Sequence, residues 1–233
     1  MGVLELSNIS KSYKSGQVQV NALKDINLSI EKGDFASIMG PSGSGKSTLL
    51  NIIGCLDLPT VGTYKIGEEY VQKLKDGQLS DIRNQLIGFV FQRFHLLPNL
   101  NALENVELPL IYQGLLGKER KERSMKALES VGLVERVKHF PSQLSGGEQQ
   151  RVAIARAIVT NPTILLADEP TGALDSRSSE NIMHIFQQLN KEMGITIVQV
   201  THEYKVAQHG EKIYHLLDGE LERIETVNVQ KAI

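Results

Sequence analysis

Gly40-Pro41-Ser42-Gly43-Ser44-Gly45-Lys46-Ser47-Thr48 constrains the fold of this chain more than any other stretch. The pattern G-x-x-x-x-G-K-[ST] lies between a short apolar run, Phe35–Met39, and a helix expected from about Lys46 to Gly54. Glycines there let backbone N–H groups curl around phosphate oxygens, and the start of the helix adds a favourable dipole. On that chemistry Lys46 reaches the β- and γ-phosphates, Ser47 offers its hydroxyl to Mg²⁺, and Thr48 contacts the α-phosphate side. A buried strand that feeds such a loop belongs to a sheet that binds ligands at its carboxyl edge.

Two further stretches sharpen this. Ile164-Leu165-Leu166-Ala167 reads as a buried strand and runs into Asp168-Glu169. That places two carboxylates beside the glycine loop, Asp168 to hold Mg²⁺ through water and Glu169 to act as general base on an attacking water. Between these features stands Leu144-Ser145-Gly146-Gly147-Glu148-Gln149-Gln150-Arg151. S-x-x-E before an apolar helical run is a capping box, here for a helix from Gly147 to Val159. Two consecutive glycines are costly at a helix start unless backbone must approach something closely. A serine hydroxyl, bare amides and a helix N-terminus also make a γ-phosphate receptor, and the two readings are compatible.

Elsewhere the pattern is of strands and helices in alternation. Leu4–Leu6 and Ile26–Ile30 alternate apolar and polar residues, as half-buried strands do. A hairpin is expected around Gly67, from Thr63–Ile66 to Glu69–Val71, and a buried strand over Ile87–Phe91. From about Leu100 to Val159 the spacing turns helical, with Leu103, Val106 and Leu110 on one face and Met125, Leu128 and Val131 on another. Then come strands at Ile164–Ala167 and Ile195–Val200, a helix around Ser178–Met193 between them, and a hairpin turn at Asp218-Gly219. Strand, helix, strand is the rhythm of a parallel sheet.

Composition excludes several functions. The 233 residues suit one large α/β domain, or a domain with a lobe. With 25 basic and 27 acidic side chains the net charge is −2, without the basic excess of a nucleic-acid binder, so no nucleic-acid partner is expected. Tryptophan is absent, which argues against a base- or sugar-stacking surface. The lone Cys55 has no partner for a disulfide, fits a reducing compartment, and reads as a packed core residue. No secretory signal is visible, and no run approaches the ~18 apolar residues of a membrane span. The expectation is a soluble protein whose membrane role, if any, comes through a partner.

The glycine loop, the LSGGE stretch and the Asp-Glu pair, in that order, resemble the ATP-binding cassette (ABC) ATPases, and the resemblance covers essentially the whole chain. It implies an α/β, ABC-type P-loop NTPase: a RecA-like core with an antiparallel β subdomain and a helical subdomain at about 97–160, within one domain spanning 1–233. Leu144–Arg151 is similar to that family's signature loop, with Glu148 where the commonest motif has Gln. Gln92 in Phe91-Gln92-Arg93 then fits the Q-loop, which senses Mg²⁺ and the nucleophilic water. His202 fits the switch histidine on the γ-phosphate, Asp175 the D-loop at a dimer interface, and Tyr13 the aromatic that stacks on adenine. The resemblance implies ATP and Mg²⁺ as ligands, and a second copy whose Ser145, Gly146 and Gly147 close the ATP site of the first. It also implies transmembrane permease subunits, on the cytoplasmic face of whose membrane the chain sits peripherally. Asn51–Asp57 and Ile87–Pro98 resemble the branch containing macrolide exporters of the MacB type, lipoprotein-release ATPases and FtsE. A MacB-like exporter of antimicrobial peptides or drugs, with a separate permease and an adaptor, fits best. An FtsE-like regulator of cell-wall hydrolysis and a lipoprotein-release ATPase remain the alternatives. Phe94, Leu96 and Leu97 are expected either to form part of the permease groove or to lie in the core.

Overall fold

The computed structural model describes residues 2–16 and 18–227. In chain order its elements are β1 (Gly2–Ser15), β2 (Val18–Glu31), β3 (Phe35–Met39), α1 (Lys46–Ile53), β4 (Val61–Ile66), β5 (Glu69–Tyr70), α2 (Asp76–Gln85) and β6 (Ile87–Phe91). There follow α3 (Ala102–Tyr112), α4 (Gly117–Ser130), α5 (Gly146–Ile158), β7 (Ile164–Asp168), α6 (Ser176–Met193), β8 (Thr196–Thr201), α7 (Tyr204–Ala207), β9 (Lys212–Leu217) and β10 (Glu220–Thr226).

The strands form two sheets, one of order β2-β1-β4-β5 and one of order β10-β9-β3-β8-β7-β6. Pairing in the first is antiparallel, whereas β9, β3, β8, β7 and β6 run parallel, with β10 closing the edge antiparallel. The central strands are buried on both faces, as parallel strands between covering layers must be. Their period of two divides the interior. Ala36, Ile38, Ile164, Leu166, Val198 and Val200 pack with α1 and the antiparallel sheet. Phe35, Leu165, Ala167 and Ile197 turn the other way, onto α3, α4, α5 and α6. Gln199 is the polar exception: it is buried, its Nε2 donates to Ser37 Oγ (2.9 Å) and Val206 O (3.0 Å), and its Oε1 has no hydrogen-bond partner among the described residues.

Helix ends follow local chemistry. Asn101 caps α3 with Glu104 reciprocating, and Asp175 caps α6, which ends at Gly194 in the left-handed conformation. Asp218 (φ 49°) and Gly219 (φ 82°) make the expected tight turn between β9 and β10. Cys55 is buried, as expected of a core residue, and burial pushes its thiol up to about 11, which disfavours the thiolate.

Several expectations need correction. β1 and β2 are each 14 residues long, far beyond Leu4–Leu6 and Ile26–Ile30. Register shifts near Ile9, Lys11 and Ser12 break the alternation, which is why the outer half did not read as strand. Helix α2 went unread because Leu79 is its one buried residue, too little to make a periodic stripe. Val71 belongs to a 3-10 turn rather than to β5. The α6 helix starts at Ser176 and β8 at Thr196, each displaced by a residue or two from expectation.

Candidate nucleotide site

Sheet register assembles the site. Phe91 is level with Asp168, Asp168 with Val200, and Met39 with Thr201. The residues that follow, Gln92, Glu169, His202 and the loop from Gly40, therefore all leave the same carboxyl edge of neighbouring strands.

The loop is shaped by backbone that only glycine tolerates. Gly45 has φ 99°, and a Cβ there would stand 2.5 Å from Ala22 O. A Cβ on Gly40 would collide with Leu216 O. Below the loop, the Gly219 N–H donates to Ser44 O (3.1 Å), so the β9–β10 turn props it from beneath. Lys46 is 7 % exposed and its Nζ donates to Pro41 O (2.7 Å), curling across the loop. Ser42, Gly43, Gly45, Lys46, Ser47 and Thr48 line a hollow of about 340 Å³ with Val20, Asn21 and Ala22 of β2, and Glu169 and His202 close its mouth.

His202 Nδ1 lies 3.0 Å from Glu169 Oε1. Glu169 itself has φ 46°, a left-handed backbone rare outside glycine, held by its N–H on Val200 O (2.9 Å). A Cβ on Gly172 would come 2.7 Å from Gln92 Nε2 and 3.4 Å from Glu169 Oε2, so Gln92 and Glu169 share one neighbour. Burial raises the Asp168 carboxyl above its ordinary range, Glu169 adds to this, and Lys46 opposes both. Ser47 hydroxyl, Asp168 carboxylate and Gln92 amide are all hard oxygen donors at this edge, a set suited to Mg²⁺ rather than to a softer metal. Tyr13 stands at the rim, 41 % exposed, with its hydroxyl donating to Asp57 (2.7 Å).

Four expected site residues lie elsewhere. Ser145, Gly146, Gly147 and Asp175 do not line the hollow above the glycine loop. They meet each other instead: a Cβ on Gly147 would stand 3.0 Å from Ser178 Oγ, which itself donates to Asp175 (2.7 Å). The helix α5 begins at Gly146, one residue earlier than its expected start, behind a complete capping box. Glu148 accepts from Ser145 N–H (2.9 Å) and Arg136 Nε (3.0 Å). Those contacts, the Ser145 N–H foremost, hold its carboxyl down at about 2. Because the folded value lies below the ordinary 4.5, its stabilisation is complete above pH 4.5 and fades as pH falls toward 2. Glu148→Gln is thus expected to lower Tm at pH 6 but to melt progressively closer to the wild type between pH 4.5 and 3. A gap that is constant across this range would sink the assignment.

Sequence reasoning missed the wall formed by Val20–Ala22, which carries no motif. It also missed Gln150, fully buried, whose Nε2 reaches Phe91 O (3.3 Å) and Pro170 O (2.5 Å) and so ties α5 to the ends of β6 and β7. A glutamine in an otherwise apolar helical face was the available signal. Leu96 packs against the helical-layer core, whereas Leu97 is exposed and Phe94 half-buried.

A family model for ABC transporters matches residues 23–172. The chain is 58 % identical over 219 residues to the uncharacterized ABC transporter ATP-binding protein YvrO of Bacillus subtilis, covering 94 % of this chain and 95 % of that one. It is 51 % identical over 221 residues to the macrolide export ATP-binding/permease protein MacB of Aggregatibacter actinomycetemcomitans, covering 95 % of this chain but 34 % of MacB. The ATP-binding cassette MJ0796, solved as a dimer in a post-hydrolysis state bound to ADP and Pi, superposes with a TM-score of 0.89 at 53 % identity, covering 97 % of this chain and 99 % of that one. The chain belongs to the ABC transporter family. Within it, the chain is an ATP-binding subunit with the cassette fold, an ATPase.

Proposed function

We propose that two copies of this chain close head to tail around two ATP molecules and use hydrolysis to drive a membrane permease. The observation that carries this is the separation just described: Ser145–Gly147 forms a capped helix start open to a ligand, yet stands apart from the glycine loop of its own chain. A second copy supplies the missing wall. The solved dimer of the similar cassette supports that arrangement.

In this reading the amides of Gly40–Gly45 and the Lys46 ammonium bind the phosphates, Thr48 contacts the α-phosphate side, and Tyr13 stacks on the base. Ser47, Gln92 and Asp168 hold Mg²⁺, which when bound neutralises charge on the phosphate oxygens. Glu169 takes a proton from the attacking water. His202 holds the Glu169 carboxylate in place and stands where the terminal phosphate enters. Asp175 carries the loop beside Ser145–Gly147 to the dimer interface.

The chain sits on the cytoplasmic face of the membrane through its permease; among the described residues no helix is long and apolar enough to cross a membrane. The MacB relatives, whose printed names join macrolide export with ATP-binding and permease functions, support an exporter; an adaptor working with it is part of this proposal. A groove of about 580 Å³, lined by Leu56, Phe89, Pro109 and Tyr112 and also by Arg83 and Arg156, receives a permease helix. Tyr112 is 82 % exposed there, and Phe89 lies on the strand that leads to Gln92.

The test is to tag Glu169→Gln, trap it with ATP in native membranes, and identify what co-purifies. A permease with a large extracytoplasmic domain, together with an adaptor, supports the exporter. A cell-division permease would replace it with force transmission, a lipoprotein-release permease with extraction, and soluble partners alone would overturn the membrane role.

A further inference from the structure

At the rim of the hollow, Lys11, Tyr13 and Asp57 form a closed cluster. Lys11 and Tyr13 both lie on β1, and a register shift between Lys11 and Ser12 separates them. Lys11 Nζ sits 4.9 Å from the centroid of the Tyr13 ring. It also donates to Asp57 Oδ1 (2.6 Å) and to Leu58 O (2.7 Å), with its side chain only 12 % exposed. The other oxygen of the same carboxylate, Oδ2, accepts the Tyr13 hydroxyl (2.7 Å).

Asp57 is in turn fixed to the far end of α1. The N–H groups of Leu56 and Asp57 both donate to Asn51 O, at 2.9 and 3.2 Å. One helix thus begins at the phosphate loop, and the turn that follows its last residue, tied back to Asn51, carries the residue that grips the aromatic ring. The ring is held by its edge through the hydroxyl and by one side through the ammonium, yet remains 41 % exposed.

We infer that Asp57 and Lys11 are positioning residues that hold the Tyr13 ring ready for the purine of a nucleotide whose phosphates rest on Gly40–Thr48. The inference rests on the reading of Tyr13 as the base-stacking residue. A free tyrosine would have to be immobilised when the nucleotide binds, at a cost equivalent to roughly 2- to 12-fold in affinity. Here the cluster has immobilised it beforehand. The ammonium draws on the ring from one side, which leaves stacking to the other. Because Asp57 is tied to Asn51 of α1, the spacing from ring to phosphate loop is set by that helix and the turn bonded to its end.

Competition against a fluorescent ATP analogue tests this on the full chain, with ATP and inorganic tripolyphosphate as competitors. Asp57→Ala and Tyr13→Phe are each expected to weaken ATP by about 2- to 12-fold and to leave tripolyphosphate unchanged. The double variant should lose no more than the larger single loss, since both substitutions cut the same link. Lys11→Met should weaken ATP in the same selective way. Unchanged ATP affinity in the single variants overturns the inference, as do additive losses in the double variant. Equal losses for tripolyphosphate overturn it too, because they would mean that Asp57 merely supports the phosphate loop. Tyr13→Ala separates the two layers. If it leaves ATP binding intact, the base-stacking reading fails and the inference with it. If it weakens ATP while Asp57→Ala does not, only the positioning role falls.

Discussion

Glu169→Gln is expected to lower steady-state ATP turnover by at least ~100-fold, the scale on which a positioned general base contributes. Nucleotide binding should survive, and the variant should elute as a dimer when ATP is present. The substitution keeps the shape of a side chain whose place is closely defined. Its backbone is in a left-handed conformation with the N–H on Val200 O (2.9 Å), and its carboxylate faces His202 Nδ1 (3.0 Å). An amide can still meet the imidazole in one tautomer, but it accepts no proton from water. Combining it with His202→Ala should cost little more than the worse single variant, because residues acting as one unit are not additive. Normal turnover in Glu169→Gln would remove Glu169 from the mechanism. A monomer in the presence of ATP would remove the sandwich.

Lys46→Ala is expected to abolish ATP hydrolysis by removing ATP binding itself. Lys46 is the only lysine or arginine lining the hollow among the described residues, and it is nearly buried. Truncating a buried charge that pairs with a ligand costs about 2–5 kcal/mol, hence roughly 30-fold or more in affinity. The loss also removes the side-chain cation nearest the two acids Asp168 and Glu169, since Lys46 is the group that opposes the upward push on the Asp168 carboxyl. Thermal melts with and without ATP check it. Ligand at 100 times Kd stabilises the folded state by about 2.7 kcal/mol, a shift that the wild type should show and the variant should not. An ATP-dependent rise in Tm equal to that of the wild type would sink the phosphate-loop assignment.

How legible the molecule was depended on the range of the interaction. The buried parallel strands announced themselves as short apolar runs, since a strand covered on both faces has no polar side to interrupt it. The Asp218-Gly219 turn and the Ser145–Glu148 capping box were equally plain, because their partners lie within a few residues. The long β1–β2 hairpin was half legible, its outer part blurred by register shifts, and α2 was not legible at all with one buried residue to mark it. Within the site, the lining by Val20–Ala22 and the grip of Asp57 on Tyr13 join residues tens of positions apart without periodicity, so nothing local records them.

The sequence by itself determined the class of chemistry: a glycine loop with its lysine, an acid pair at a strand end, and a serine-glycine helix start, each a local pattern tied to a local backbone geometry. Tertiary structure alone decided their arrangement. The parallel register brings Gln92, Glu169 and His202 to the edge from which the glycine loop rises. It leaves Ser145–Gly147 on a helix that does not reach the hollow of its own chain. The physical reason is that strand order and helix placement follow from which apolar faces bury one another across the whole chain, and no window of the sequence contains both members of such a pair.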